Sequence, residues 1–157
     1  LKVINYIVKK IPDVQIAVVG DGELRNQFES QIKEYHLEHN IKMYGFQSNP
    51  YGLVQNSKVM CMPSLWEGFG LAAVEALCLG IPVVCSGVGG LSDFVDEQCG
   101  MICGQDLNKY VDEIIKLLSN ESYLRQKSNT SKIRAEHIAN IRPYIESILE
   151  QYKYCLK

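Results

Sequence analysis

Glu67 and Glu75 are the residues of this 157-residue chain whose placement points most directly to chemistry. They bracket a glycine-bearing turn in the stretch Pro63-Ser-Leu-Trp-Glu-Gly-Phe-Gly-Leu-Ala-Ala-Val-Glu-Ala76. From Leu71 to Leu79 every residue is apolar except Glu75, which reads as a buried helix opening near Phe69 or Gly70. A helix start leaves backbone N–H groups unpaired and carries partial positive charge, so it suits an anion such as a phosphate. Gly68 and Gly70 lack a Cβ, which lets a ligand come close to the backbone. If most of the span between the acids is helical, they stand roughly 12 Å apart along the axis. An acid, an anion-binding backbone and a second acid together fit one extended ligand: sugar, diphosphate, ribose. Taken singly, Glu67 also fits a solvated loop acid, and Glu75 the one wet edge of a core helix.

Those residues need a scaffold, and the rest of the chain supplies its pattern. Leu1, Ile4, Ile7, Val8 and Ile11 form a helical stripe that Pro12-Asp13 ends. Val14–Val19 has the look of a buried strand, and Glu23–His39 follows a Gly20-Asp21-Gly22 turn as an amphipathic helix. Ile41–Phe46 and Val59–Met62 read as strands, separated by a short helix that Asn49-Pro50 opens and that runs to about Ser57. After the central helix, Gly80-Ile81-Pro82 breaks the chain before a strand at Val83–Cys85. A Gly-rich loop at Gly87–Gly90, a short helix near Ser92–Val95 and a weak strand at Gly100–Cys103 come next. Three helices then complete the chain: Leu107–Leu118, Tyr123 to about Ile138, and Pro143–Tyr154. Short apolar strands alternating with helices predict an α/β fold, a Rossmann-like parallel sheet with helices on both faces. In such sheets ligands bind beyond the carboxyl ends of the strands. The loops at Gly20–Gly22, Gly45-Phe46-Gln47, Pro63–Gly70 and Ser86–Gly90 all fall on that edge.

Other motif readings are weaker. In Gly20-Asp21-Gly22-Glu23-Leu24-Arg25 the third glycine of a dinucleotide fingerprint would fall at Arg25, so that reading fails. No P-loop occurs, and the third strand ends in Pro63-Ser64 where a receiver domain needs an acid. Asp21 and Arg25 also fit a tight turn with a helix cap, Gly89-Gly90 fits simple turn geometry, and Asp93 fits a helix-terminus acid. His36, His39 and His137 lie on polar helical stretches with nothing to mark them as ligands. No Asp-x-Asp pair is present, so nothing suggests a metal bridging a diphosphate. From Val59 to Asn108 there are six acids and no Lys or Arg, so a diphosphate bound here needs a cation from elsewhere.

The run around Glu67 and Glu75 resembles the donor-site motif of the retaining GT-B glycosyltransferases, the glycosyltransferase 4 or "group 1" family: Glu, seven residues, Glu, with Gly-Phe-Gly after the first acid. Gly20-x-Gly22-x-Leu24-Arg25 and the Gly89-Gly90 loop with nearby Asp93 are similar to further motifs of that family. The resemblance is specific over Val14–Gly104 and holds only in pattern for the helical tail. It implies a single nucleotide-sugar-binding domain over residues 1–157, with a sheet core at about 1–104 and a tail at 105–157. It implies the C-terminal, donor-binding half of a two-domain enzyme whose acceptor half precedes Leu1, with an Arg and a Lys for the diphosphate lying shortly before Leu1, around the first strand and helix of this same domain. The implied donor is a nucleotide-sugar, most often a UDP-sugar, used without metal or other cofactor, and the acceptor a glycan or lipid of polysaccharide biosynthesis. In the implied roles Glu75 holds the ribose hydroxyls and Glu67 is the catalytic acid that orients the sugar. The backbone of Gly68, Phe69, Gly70 and Leu71 holds diphosphate and sugar, Gly45, Phe46 and Gln47 lie near the base, and Gly20, Gly22, Gly89 and Gly90 border the donor. A non-catalytic nucleotide-sugar binding module, or a related GT-B enzyme such as an epimerase or phosphorylase, remains an alternative.

Composition sets the outer bounds. With 46% apolar and 22% charged residues the chain reads as an ordinary globular domain. A net charge of −2 argues against a nucleic-acid partner. No apolar run reaches the length that spans a bilayer, and the first residues carry no signal-peptide pattern. Cys61, Cys78 and Cys85 lie in apolar runs, and Cys99 and Cys103 have no second pair with which to hold zinc. All six cysteines read as reduced, with Cys155 a reactive surface thiol; this favours the cytoplasm, with peripheral membrane association through the acceptor half.

Overall fold

The computed structural model describes residues 1–140 and 142–155. The elements run α1 (Lys2–Lys10), β1 (Ile16–Val19), α2 (Arg25–Glu34), β2 (Ile41–Gly45), α3 (Tyr51–Val54), β3 (Met60–Met62) and α4 (Leu71–Cys78). They continue with β4 (Val83–Cys85), α5 (Leu91–Phe94), β5 (Gly100–Ile102), α6 (Leu107–Ser119), α7 (Glu121–Ala139) and α8 (Arg142–Cys155). The strand–helix alternation read from the sequence is therefore the one observed. Two boundaries move by several residues: α3 stops at Val54 rather than near Ser57, and α2 stops at Glu34 rather than at His39. His36 takes a left-handed backbone (φ 57°), which turns the chain so that Leu37 can bury at 1% exposure. His36 and His39 then sit in a turn, not on a helix face.

All strand pairs are parallel. β1 pairs with β2, with a register irregularity between Val18 and Val19, and β3, β4 and β5 form a second ladder in that order. The ladder hydrogen bonds thus fall into two sheets, not one. Among the described residues no ladder joins β1 to β3, and both strands are edges. That position explains a second departure. The sequence pattern suggests buried strands, but only β4 is buried throughout, while Ala17 of β1 and Cys61 of β3 are exposed.

Helices cover both faces. The two faces of β4 separate cleanly: Val84 packs with Ile7, Tyr110, Ile114 and Leu117 under α1 and α6. Val83 and Cys85 pack with Ala73, Ala76, Leu77, Leu91 and Ala135 under α4, α5 and α7. Fully burying a leucine such as Leu77 or Leu91 stabilises the fold by about 1.5–3 kcal/mol. The stripe of α1 links the sheets, since Leu1, Ile4 and Val8 pack against the β1–β2 cluster while Val3 and Ile7 join the α6 side. Caps fix the tail: the Asp106 carboxylate accepts from Asn108 N (3.0 Å) and Lys109 N (3.3 Å), and Asn120 Oδ1 accepts from Tyr123 N (2.9 Å).

The cysteines divide in a way the sequence does not announce. Cys85, Cys99 and Cys103 are buried, but Cys61 and Cys78 are exposed, because β3 is an edge and Cys78 lies on the outward side of α4. The five described here are free thiols. The Cys155 thiol lies outside the described side chains.

Candidate functional site

The central helix begins one residue after its left-handed cap. Gly70 adopts φ 82° and ψ 38° and α4 starts at Leu71. Any Cβ at Gly70 would stand 2.9 Å from Leu91 Cδ2, so the backbone angle and the packing both call for glycine. The stretch from Glu67 to Gly70 is loop, so helical rise does not set the separation of the two glutamates, and the 12 Å reading from an all-helical span does not apply. No side chain caps the first turn of α4. Ala73 N–H and Val74 N–H turn back onto Gly70 O at 2.9 and 3.4 Å, which leaves the Leu71 and Ala72 N–H groups pointing out of the helix start as donors.

The loop that carries Glu67 is clamped by the loop after β4. Gly90 N–H donates to Gly68 O at 2.9 Å. A Cβ on Gly89 would lie 1.9 Å from Glu67 O, and one on Gly90 would lie 2.3 Å from Phe69 O. These glycines serve close backbone approach as well as turning. Glu67 itself is half-buried, and Ser64 Oγ reaches its Oε2 at 3.5 Å. Phe69, itself exposed, meets Phe94 with ring centroids 4.7 Å apart, while Gly68 stays open to solvent with the Trp66 ring 4.0 Å from its Cβ position.

A pocket of about 220 Å³ opens on the other side of the α4 start, lined in part by Gly20, Phe46, Gln47, Tyr51, Ala72 and Glu75. Tyr51 OH donates to Glu75 Oε1 at 3.0 Å and is the partner that holds this carboxylate. The phenol sits beside a negative charge, so its pKa is raised, chiefly by that hydrogen bond and then by the charge. Phe46 is 79% exposed at the rim, and Gln47 Nε2 donates to Tyr44 O at 2.9 Å, which fixes its amide. Gly20 N–H donates to Gly45 O at 2.8 Å and ties the β1 loop to the β2 loop behind the pocket.

The structure brings Gly20, Gly45, Phe46, Gln47, Glu75 and the α4 start to one edge, and sets Glu67, Gly68, Phe69, Gly89 and Gly90 beside them across Gly70 and Leu71. Gly22 is not among them: it is exposed, no atom lies within 4 Å of its Cβ position, and it does not line the pocket. Its N–H instead bonds Asp21 Oδ1 at 2.9 Å. Asp21 is not the helix cap, since Leu24 holds that position. Its carboxylate pairs with Arg25 at 3.1 Å, and Arg25 also binds Glu29 at 2.9 Å. That cation is engaged by two acids, and among the described residues no Lys or Arg lines the pocket. Asp93 lies in the first turn of α5, as its sequence position suggests. Among the described residues no group of three His, Cys, Asp or Glu is placed to hold a metal ion. No described helix is long and apolar enough to cross a membrane. The sequence reading did not single out Tyr51 or Ala72; the Asn49-Pro50-Tyr51 helix start was the available signal for the first.

Comparison with known proteins fits this arrangement. A family profile described as glycosyl transferases group 1 matches residues 1–134. The poly(ribitol-phosphate) alpha-N-acetylglucosaminyltransferase of Staphylococcus aureus is 28% identical over 155 residues, covering 97% of this chain and 31% of that protein. The poly(glycerol-phosphate) alpha-glucosyltransferase of Bacillus subtilis is 31% identical over 151 residues, covering 94% of this chain and 22% of that protein. Among solved structures, a mutant of S. aureus TarM in complex with fondaparinux, alpha-GlcNAc-glycerol and UDP superposes at a TM-score of 0.83 with 26% identity, over 98% of this chain and 31% of that one. The chain spans about a third or less of the length of these curated relatives.

Proposed function

The chain belongs to the glycosyl transferases group 1 family, and on that premise we propose that it is the donor-binding domain of a retaining glycosyltransferase that moves a sugar from a UDP-sugar to a glycan or lipid acceptor. The observation that carries this reading is the pocket beside the uncapped start of α4. It sets an aromatic and an amide, Phe46 and Gln47, at one end and a carboxylate, Glu75, within two turns of free N–H donors. The base lies against Phe46 and Gln47, the ribose hydroxyls donate to Glu75, and the diphosphate lies on the Leu71 and Ala72 N–H groups. The sugar then projects toward Glu67, whose carboxylate accepts from its hydroxyls.

In the transfer step the bond between the anomeric carbon and the diphosphate oxygen breaks, the acceptor oxygen bonds that carbon, and the acceptor proton leaves with the diphosphate. Charge builds on the sugar as an oxocarbenium and on the leaving phosphate. The part this domain plays is positioning and backbone stabilisation of that charge. The remaining charge calls for cations that residues 59–108 do not contain, and we assign these to basic residues of the same donor-binding domain outside the 157 residues, and the acceptor to a separate half of the enzyme. The 157 residues alone then bind donor without transferring it. The TarM complex, which holds UDP, supports the nucleotide assignment.

Calorimetry on Glu67→Gln and Glu75→Gln, each with UDP and with a UDP-sugar, tests the direction of the ligand. Loss at Glu75 should cost about 1.5–3 kcal/mol, the range for a hydrogen bond to a charged group, or roughly tenfold to a hundredfold in affinity, equally for both ligands. Glu67→Gln should weaken only the UDP-sugar. Equal losses at Glu67, or unchanged UDP binding at Glu75, would show the ligand to run the other way.

A further inference from the structure

We infer that Tyr51 is a positioning residue for the ribose: its hydroxyl holds Glu75 in the orientation that accepts the sugar hydroxyls of the nucleotide. The inference rests on the assignment of Glu75 to ribose. It starts from the 3.0 Å hydrogen bond from Tyr51 OH to Glu75 Oε1, which joins two pocket walls 24 residues apart in the chain.

The local structure makes that bond a directed one. Pro50 precedes α3 with φ −76°, and the Leu53 and Val54 N–H groups both return to its carbonyl, at 2.9 and 3.0 Å. Asn49 Oδ1 accepts from Tyr51 N–H at 3.2 Å, so the backbone at Tyr51 is held from both sides. A phenol has few rotamers and reaches across the pocket from this anchor. Glu75, by contrast, has three side-chain torsions and sits half-buried on α4. Left alone, it would have to order itself each time a nucleotide arrived.

A carboxylate offers about four lone-pair sites on two oxygens. Tyr51 occupies one, on Oε1, and leaves Oε2 and the second site on Oε1 for a pair of adjacent hydroxyls. As a donor only toward this acid, the phenol leaves Glu75 an acceptor, which is the role the ribose requires. Tyr51 is 45% exposed and lines the pocket together with Glu75.

The test uses the intact chain with two probes, UDP and its 2′,3′-dideoxy counterpart, which lacks both ribose hydroxyls. Tyr51→Phe keeps the ring and removes the oxygen. It should weaken UDP about fivefold, the size of one ordered side chain or about 1 kcal/mol, and leave the dideoxy ligand unchanged. In a Glu75→Gln background the same change should have no further effect on either probe. An equal loss for both probes would mean the tyrosine only shapes the pocket, and unchanged UDP binding would mean the hydrogen bond is idle; each overturns the inference. Tighter UDP binding would show that Tyr51 competes with ribose, which overturns it too. The underlying assignment fails separately: there the unsubstituted chain would bind both probes equally, or neither.

Discussion

Gly90→Ala is the substitution whose effect the structure fixes most closely. Gly90 has φ −65° and ψ −11°, which alanine adopts without strain, so nothing comes from the backbone angle. The added Cβ would lie 2.3 Å from Phe69 O, 2.9 Å from Phe69 C and 3.0 Å from Phe69 Cα. All three are backbone atoms, so no side chain can swing aside. The loop from Glu67 to Phe69 must retreat by about 1 Å to reach ordinary contact distance. That retreat breaks the 2.9 Å bond from Gly90 N–H to Gly68 O. A lost hydrogen bond of about 1 kcal/mol and overpacking of about 1–3 kcal/mol together give a loss of roughly 2–4 kcal/mol. For a chain of this length that lowers Tm by about 4 °C or more. Because the moving segment carries Glu67 and borders Leu71, binding of a UDP-sugar should fall further than binding of UDP. Gly22→Ala is the control: its Cβ position is open, so stability should hold within about 0.5 kcal/mol. Thermal unfolding and calorimetry on both variants give the comparison. A Gly90→Ala protein with an unchanged melting point and unchanged UDP-sugar affinity would refute the contact between the two loops as the device that sets the position of Glu67.

Two other outcomes can be checked on the unsubstituted chain. Cys78 should alkylate in the folded protein, and Cys85, Cys99 and Cys103 only after unfolding, as mass spectrometry of partially labelled protein would show. Burial pushes the Cys99 and Cys103 thiols up to about 11. Their pKa in the unfolded chain, about 8.5, is lower, so the stability they contribute is fully present below pH about 8.5 and is lost as the pH rises toward 11; urea midpoints falling across that interval would bear this out, and flat ones would not. UDP affinity should be the same with and without EDTA, because among the described residues no group of three His, Cys, Asp or Glu is placed to hold a metal ion.

The order of strands and helices was legible because each strand is a short apolar run and most boundaries have a Gly, Pro or Asx residue to mark them; the end of α2 at Glu34 has none before Asn40, and there the boundary was missed. The α4 start was legible for the same reason: Gly68 and Gly70 precede an apolar run that only Glu75 interrupts. Readings that depended on tertiary contact fared differently. Gly89-Gly90 looked like a turn, and only the packed structure shows two backbones meeting there. Tyr51 carried no sequence mark, since its hydrogen bond to Glu75 crosses 24 residues. Asp21 was read as a cap from its type, but Arg25, four residues on, draws its carboxylate into an ion pair. Cys61 and Ala17 were placed inside because neighbouring residues are apolar. Periodicity records the face a strand residue takes, not whether another strand lies alongside.

The open sides of β1 and β3 carry a consequence for handling the protein. Among the described residues neither has a ladder on that side, along an apolar segment, Ile-Ala-Val-Val in one case and Met-Cys-Met in the other. Such an edge is a template for strand addition by a neighbouring molecule. Neither segment carries the lysine or proline that protects exposed edges in many β-proteins. Solubility at high concentration should therefore respond to a single charged residue at the exposed Ala17 while the core stays untouched.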